Sequence, residues 1–104
     1  MVFVGTLTLD LLLGDVHSLK EKRSLIRPVV AELRRSFEVS AAETGHLDLH
    51  RRGEVSVSLV APDAAHCHEV LSACEAKVAA RPELELLAAR LRVWNGDDDL
   101  PQSP

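Results

Sequence analysis

Apolar and polar residues alternate along residues 2–13, and this alternation constrains the fold more than any other feature of the chain. In an extended strand, residues two apart share a face. One face is therefore apolar, and the other carries polar residues among its members. The apolar face holds Phe3, Leu7, Leu9, Leu11 and Leu13, and the other holds Val2, Val4, Thr6, Thr8 and Asp10. The pattern predicts a long strand that buries only one face.

Three further segments are predicted to be strands with one inward face. They span 37–45 with Phe37, Val39 and Ala41 inward, 53–61 with Val55, Val57 and Leu59 inward, and 84–94 with Leu91 and Val93 inward. The opposite face of the sheet is predicted to carry Thr6, Thr8, Asp10, Glu54, Ser56, Ser58, Arg90 and Arg92. A face this polar can remain exposed to solvent, although it could also be the surface of a dimer.

Two helices are predicted between the strands. The first spans 18–36, with Ser18 as N-cap and Glu21 completing a capping box. Pro28 falls inside it near the solvent side, where it removes one backbone hydrogen bond and predicts a kink. The second begins after its N-cap, Asp63, and stops at Arg81–Pro82. The predicted core faces are Leu19, Leu25, Ile26, Val29, Val30 and Leu33 in the first helix, and Cys67, Val70, Leu71, Cys74 and Val78 in the second.

The predicted order of elements is therefore βαββαβ, which indicates an α+β, ferredoxin-like fold. Right-handed crossovers give such a chain a four-stranded antiparallel sheet with two helices on one face. Residues 1–94 are expected to form a single domain, and 95–104 a disordered acidic tail. No apolar run approaches a membrane span and the start lacks a basic leader, so a cytoplasmic protein without membrane contact is expected.

The first helix carries six basic and two acidic residues in a chain whose net charge is -4. At about 100° per residue, four of the basic residues form a narrow stripe beside the apolar face. They are Lys20, Arg23, Arg27 and Arg34. One interpretation is an ordinary solvated helix face, and the other is a stripe that binds phosphates. Arg51 and Arg52, in the hairpin between the second and third strands, are candidates to extend it.

Few residues suggest catalysis or metal binding. His46, Asp48 and His50 would share one face of an extended strand and are candidate ligands for a zinc-type ion, but a polar hairpin end is the preferred interpretation. His66 and His68 flank Cys67 on a helix, where residues two apart point away from each other. Cys67 and Cys74 lie two helical turns apart, too far for a disulfide, and are predicted to be buried free thiols. We expect a protein that is not an enzyme and has neither metal nor cofactor.

The string Ser18-Leu19-Lys20-Glu21-Lys22-Arg23-Ser24, after the opening strand, resembles the signature of the YlxP-like bacterial family. The similarity continues through 37–43, 46–49 and 55–60, and covers about 2–93. That family is a domain of unknown function with a ferredoxin-like fold. Its genes commonly sit beside those for translation initiation and ribosome maturation factors, which implies a role linked to RNA or the ribosome.

Two main functions follow from these observations. The first is an RNA- or ribosome-associated protein that contacts phosphates through Lys20, Arg23, Arg27, Arg34, Arg51 and Arg52. The second is a dimeric protein-interaction module that uses the open sheet face or its edge strands. A weaker third is a small-anion or metal sensor at His46, Asp48 and His50. One continuous basic surface favours RNA, whereas scattered charges favour the protein module.

Overall fold

A computed structural model describes residues 1–98 of the chain. The elements are β1 (Phe3–Leu13), α1 (Leu19–Ser36), β2 (Ser40–Gly45), β3 (Arg52–Ala61), α2 (Ala64–Ala79) and β4 (Leu84–Asn95). The strands form one sheet in the order β2-β3-β1-β4, and every neighbouring pair is antiparallel. The predicted ferredoxin-like βαββαβ fold is confirmed.

The core lies between the sheet and the two helices. Leu7, Leu9, Leu11 and Leu13 are buried on the helix side of β1, as their alternation predicts. Cys67 and Cys74 are free thiols with no exposed surface on α2, so the prediction for the cysteines is also confirmed. The remaining core comes chiefly from Val29 and Leu33 of α1, Val55 and Val57 of β3, and Leu71 and Val78 of α2.

Both helices begin at the predicted caps. The Ser18 hydroxyl accepts from the Glu21 N–H at 3.1 Å, and the Asp63 carboxylate accepts from the His66 N–H at 2.7 Å. The Glu21 carboxylate accepts from the N–H of His17, one residue before the cap, rather than from Ser18 itself. Pro28 is exposed, and α1 continues through it to Ser36.

The segment between α1 and β2 differs from the prediction. β2 begins at Ser40, three residues later than expected. Phe37 caps α1 instead, because its N–H donates to Leu33 O at 3.1 Å. Phe37 and Val39 are partly buried beside the core and carry the chain from the helix to the sheet edge.

The sheet face away from the helices carries the predicted polar residues. Thr6 of β1 lies between Ser58 of β3 and Arg92 of β4, and Thr8 lies between Ser56 and Arg90. At the far end of β4, Asn95 completes the strand and Gly96–Asp98 form a turn. The rest of the tail that is predicted to be disordered, 99–104, lies outside the described residues. Neither described helix combines the length and apolar character that crossing a membrane requires.

Candidate nucleic-acid interface

Three of the six predicted phosphate contacts lie together on the exposed flank of α1. Lys20, Arg23 and Arg27 are all exposed, and within residues 1–98 none of their side chains donates a hydrogen bond or forms an ion pair. Arg23 lies three residues after Lys20 and four before Arg27, so the three are neighbours on the helix surface. We call these three residues the α1 cation row.

The other three predicted contacts bind the protein itself. Arg34 donates through Nε and Nη2 to the Ala41 carbonyl on the outer edge of β2, at 3.0 and 2.6 Å. Arg51 Nε donates to the Gly14 carbonyl at 3.0 Å. Arg52 Nη2 lies 2.5 Å from Asp10 Oδ2. These hydrogen bonds connect neighbouring elements. They also occupy N–H groups that could otherwise donate to a phosphate.

The six residues do not form one continuous basic surface. Arg52 pairs with Asp10 on the open sheet face, the side opposite the helices. Arg51 lies at the end of β1, in a hollow that Glu83 and Glu85 also line. The α1 cation row remains as one group. Scattered charges of this kind favour a protein-interaction module over RNA binding. The surface that remains for RNA is limited to the α1 cation row.

A buried ion pair that the sequence pattern did not single out lies beneath this surface. The side chain of Lys22 is 3% exposed, and its Nζ lies 3.2 Å from Glu43 Oε2. The same Nζ donates to the His46 carbonyl at 2.5 Å. A signal for this position was available, because Lys22 lies one turn before Ile26 on the buried face of α1.

His46 joins this pair to the open face. It has φ 56, in the left-handed region, and its Nε2 lies 3.5 Å from Asp10 Oδ1. The hydrogen bond from Arg52 is the main reason that the pKa of Asp10 is lowered, and His46 lowers it further. The chain Glu43–Lys22–His46–Asp10–Arg52 therefore connects the helix side of the sheet with its open side.

The hypothesis of a metal site at His46, Asp48 and His50 is wrong in its geometry. The three residues would share a face only on an extended strand, but β2 ends at Gly45 and the chain then turns. Throughout the part of the chain that the structure describes, no three His, Cys, Asp or Glu side chains are grouped to hold a metal ion.

Comparison with known proteins gives the family. A family model described as "Protein of unknown function (DUF503)" matches residues 4–91. The uncharacterized protein YlxP of Bacillus subtilis (strain 168) is 25% identical over 87 residues, which cover 84% of this chain and 95% of YlxP.

Among solved structures, the de novo designed protein Foldit4 is similar in fold, with a TM-score of 0.51 and 15% identity, covering 91% of this chain and 98% of its own. SnoaB, a cofactor-independent oxygenase from Streptomyces nogalater, has a TM-score of 0.47 and 11% identity over 95% of this chain and 98% of its own, too distant to support an argument. The family match, which extends from β1 into β4, shows that the chain belongs to the DUF503 family of proteins of unknown function.

Proposed function

We propose that the protein is a non-enzymatic, cytoplasmic RNA-binding protein that contacts phosphates through the α1 cation row. The observation that carries the proposal is the exposure of Lys20, Arg23 and Arg27 together, with no acidic partner engaged by any of them within residues 1–98. Solvated cations at helical spacing attract a polyanion without a fixed sequence preference.

The choice of RNA as the polyanion comes from the resemblance to the YlxP-like family. Genes of that family commonly sit beside those for translation initiation and ribosome maturation factors, which makes ribosomal RNA the first partner to test. The overall charge of -4 supports a local contact rather than a generally basic surface. Binding is therefore expected to depend on particular cations of α1.

A comparison of two double variants tests this proposal. Arg23→Gln/Arg27→Gln removes two cations of the row, and Arg35→Gln/Lys77→Gln removes two exposed cations elsewhere on the helices. The probe is labelled ribosomal RNA at low salt, followed by fluorescence anisotropy. We expect weaker binding from the first variant and binding near that of the wild type from the second. Equal behaviour of the two variants would contradict a role for the row.

The second candidate function is a dimeric protein-interaction module that uses the open sheet face. It is favoured by the split of the arginines and by a shallow groove of about 550 Å³, lined by Arg34 and by residues of β1, β2 and β3 that include six with hydroxyl groups. Sedimentation equilibrium of the wild type and of Ser58→Arg tests it. A dimer that the substitution dissociates would support this function, and a monomer at all concentrations would exclude it.

A further inference from the structure

Three residues outside the α1 cation row lie together on the open sheet face, along β4. Trp94, Arg92 and Arg90 are successive residues on this face, and they pair with Val4, Thr6 and Thr8 of β1. Trp94 is the single tryptophan of the chain and is partly buried, whereas Arg90 and Arg92 are exposed. Residues two apart on a strand are separated by roughly 7 Å, so the three lie in one line.

Hydroxyl groups extend this line across the sheet. Thr6 lies beside both Arg92 and Ser58, and Thr8 lies beside both Arg90 and Ser56. Neighbouring strands are about 4.8 Å apart, so the backbone of each arginine lies one strand spacing from that of a threonine on the same face. Of these hydroxyls, only Ser56 takes part in a side-chain hydrogen bond within residues 1–98, to Thr44.

The charges of this part of the face are not neutralised. Of its two central carboxylates, Asp10 pairs with Arg52, whereas Glu54 accepts only from the neutral Thr44 hydroxyl at 2.7 Å and keeps its charge. Arg90 and Arg92 form no ion pair with any described residue. A second copy placed here would bury Arg90 and Arg92 of each copy with only one unpaired central carboxylate, Glu54, to offset two cations, which costs free energy. A phosphate backbone supplies the missing negative charge.

We infer that the open face beside β4 binds single-stranded RNA, with a base stacked on Trp94, phosphates on Arg90 and Arg92, and ribose hydroxyls on Thr6 and Thr8. Aromatic stacking combined with cations is the usual way that a protein surface holds single strands without reading their sequence. The inference rests on the RNA binding proposed above. It assigns a second RNA surface, on the side of the sheet opposite α1.

The single tryptophan makes the test direct, because its fluorescence reports only this surface. The probe is an unstructured oligouridylate of about ten nucleotides, a length typical of single-strand sites. We expect the oligonucleotide to quench Trp94 fluorescence and the quenching to be lost in Arg90→Gln/Arg92→Gln. The Arg35→Gln/Lys77→Gln control should keep it. Trp94→Ala should weaken binding, measured by anisotropy, by roughly fivefold to a hundredfold, and Trp94→Phe by much less.

The outcomes separate this inference from the proposed function. RNA binding without quenching, and without an effect of the β4 substitutions beyond the control, would overturn the inference and leave the α1 cation row in place. Quenching that persists in Arg23→Gln/Arg27→Gln, in a variant that also binds ribosomal RNA as tightly as the wild type, would support the inference and contradict the role of that row. Tryptophan fluorescence that changes with protein concentration alone, and is restored by Ser58→Arg, would show a second copy on this face and overturn the inference. No binding at low salt would overturn both.

Discussion

At the scale of single residues, Lys22 has the most unusual environment in the described part of the chain. Its side chain is 3% exposed, and among the described residues it is the charged one that is buried. A buried cation without a partner is costly, so the pairing with Glu43 and the hydrogen bond to the His46 carbonyl are needed to offset its desolvation. Lys22 thus holds the β2–β3 turn against α1 and is unavailable to a ligand.

Removal of this cation should destabilise the protein strongly. Lys22→Met leaves the Glu43 carboxylate without its partner and should lower the free energy of unfolding by about 3 kcal/mol. Lys22→Met/Glu43→Gln should lose less than the sum of the two single variants, by about 1 kcal/mol or more. Urea denaturation measures all three, and Lys20→Met, at an exposed site, is the control. Additive losses would show that the two side chains do not interact.

The buried thiol of Cys74 makes stability depend on alkaline pH. Burial raises the pKa of Cys74 from 9.0 to about 11, because the thiolate is poorly solvated in the core. The unfolded chain ionises first, so stability is unaffected below about pH 9 and falls as the pH rises toward about 11. The decline is at most about 1.4 kcal/mol per pH unit for this group.

Urea denaturation at about pH 8 and about pH 10.5 measures this decline. Cys74→Ala should show a smaller loss between the two pH values than the wild type, although Cys67, whose pKa burial also raises, still contributes. An equal loss in the variant and the wild type would assign the alkaline sensitivity to other groups.

At the scale of elements, the sequence of α1 combines several local signals for a helix with one residue that disfavours it. Its N-cap, its apolar face and its exposed cations follow from local spacing, so the sequence predicts them well. Pro28 is the exception, because it leaves the Ser24 carbonyl without an intrahelical donor. The helix nevertheless continues, with the Pro28 carbonyl accepting from Arg81 Nη2 at 3.2 Å.

Replacement of Pro28 by alanine should therefore stabilise the protein. Pro28→Ala restores a backbone donor at an exposed position and should raise the free energy of unfolding by about 1 kcal/mol or more. Ala31→Gly, at an exposed position on the same helix, should lower it by about 1 kcal/mol and shows that the measurement detects helix propensity. Lower stability in Pro28→Ala would mean that the proline ring makes contacts that outweigh the lost hydrogen bond.

At the scale of the whole molecule, the strands and their inward faces are predictable because alternation is a local property. The candidate site is less predictable from the sequence. Arg52 meets Asp10, 42 residues away, only because β1 and β3 pair in one particular register. Arg34 turns to the edge of β2 for the same kind of reason, and the end of β2 at Gly45 removes the extended geometry expected for His46, Asp48 and His50. Contacts between residues far apart in the sequence therefore decide which of the predicted cations have partners within the described part of the protein.

RNA binding through the charges of the α1 cation row can be tested by a salt titration of RNA affinity. The logarithm of the association constant should fall linearly with the logarithm of salt concentration, with a slope of about -0.7 per phosphate contact on single strands. Arg23→Gln/Arg27→Gln should weaken binding and flatten that slope by one to two contacts' worth, about 0.7 to 1.4. Its melting temperature should stay near that of the wild type, since exposed charges contribute little to folding. An unchanged slope in the variant, or no RNA binding even at low salt, would contradict RNA binding by the α1 cation row.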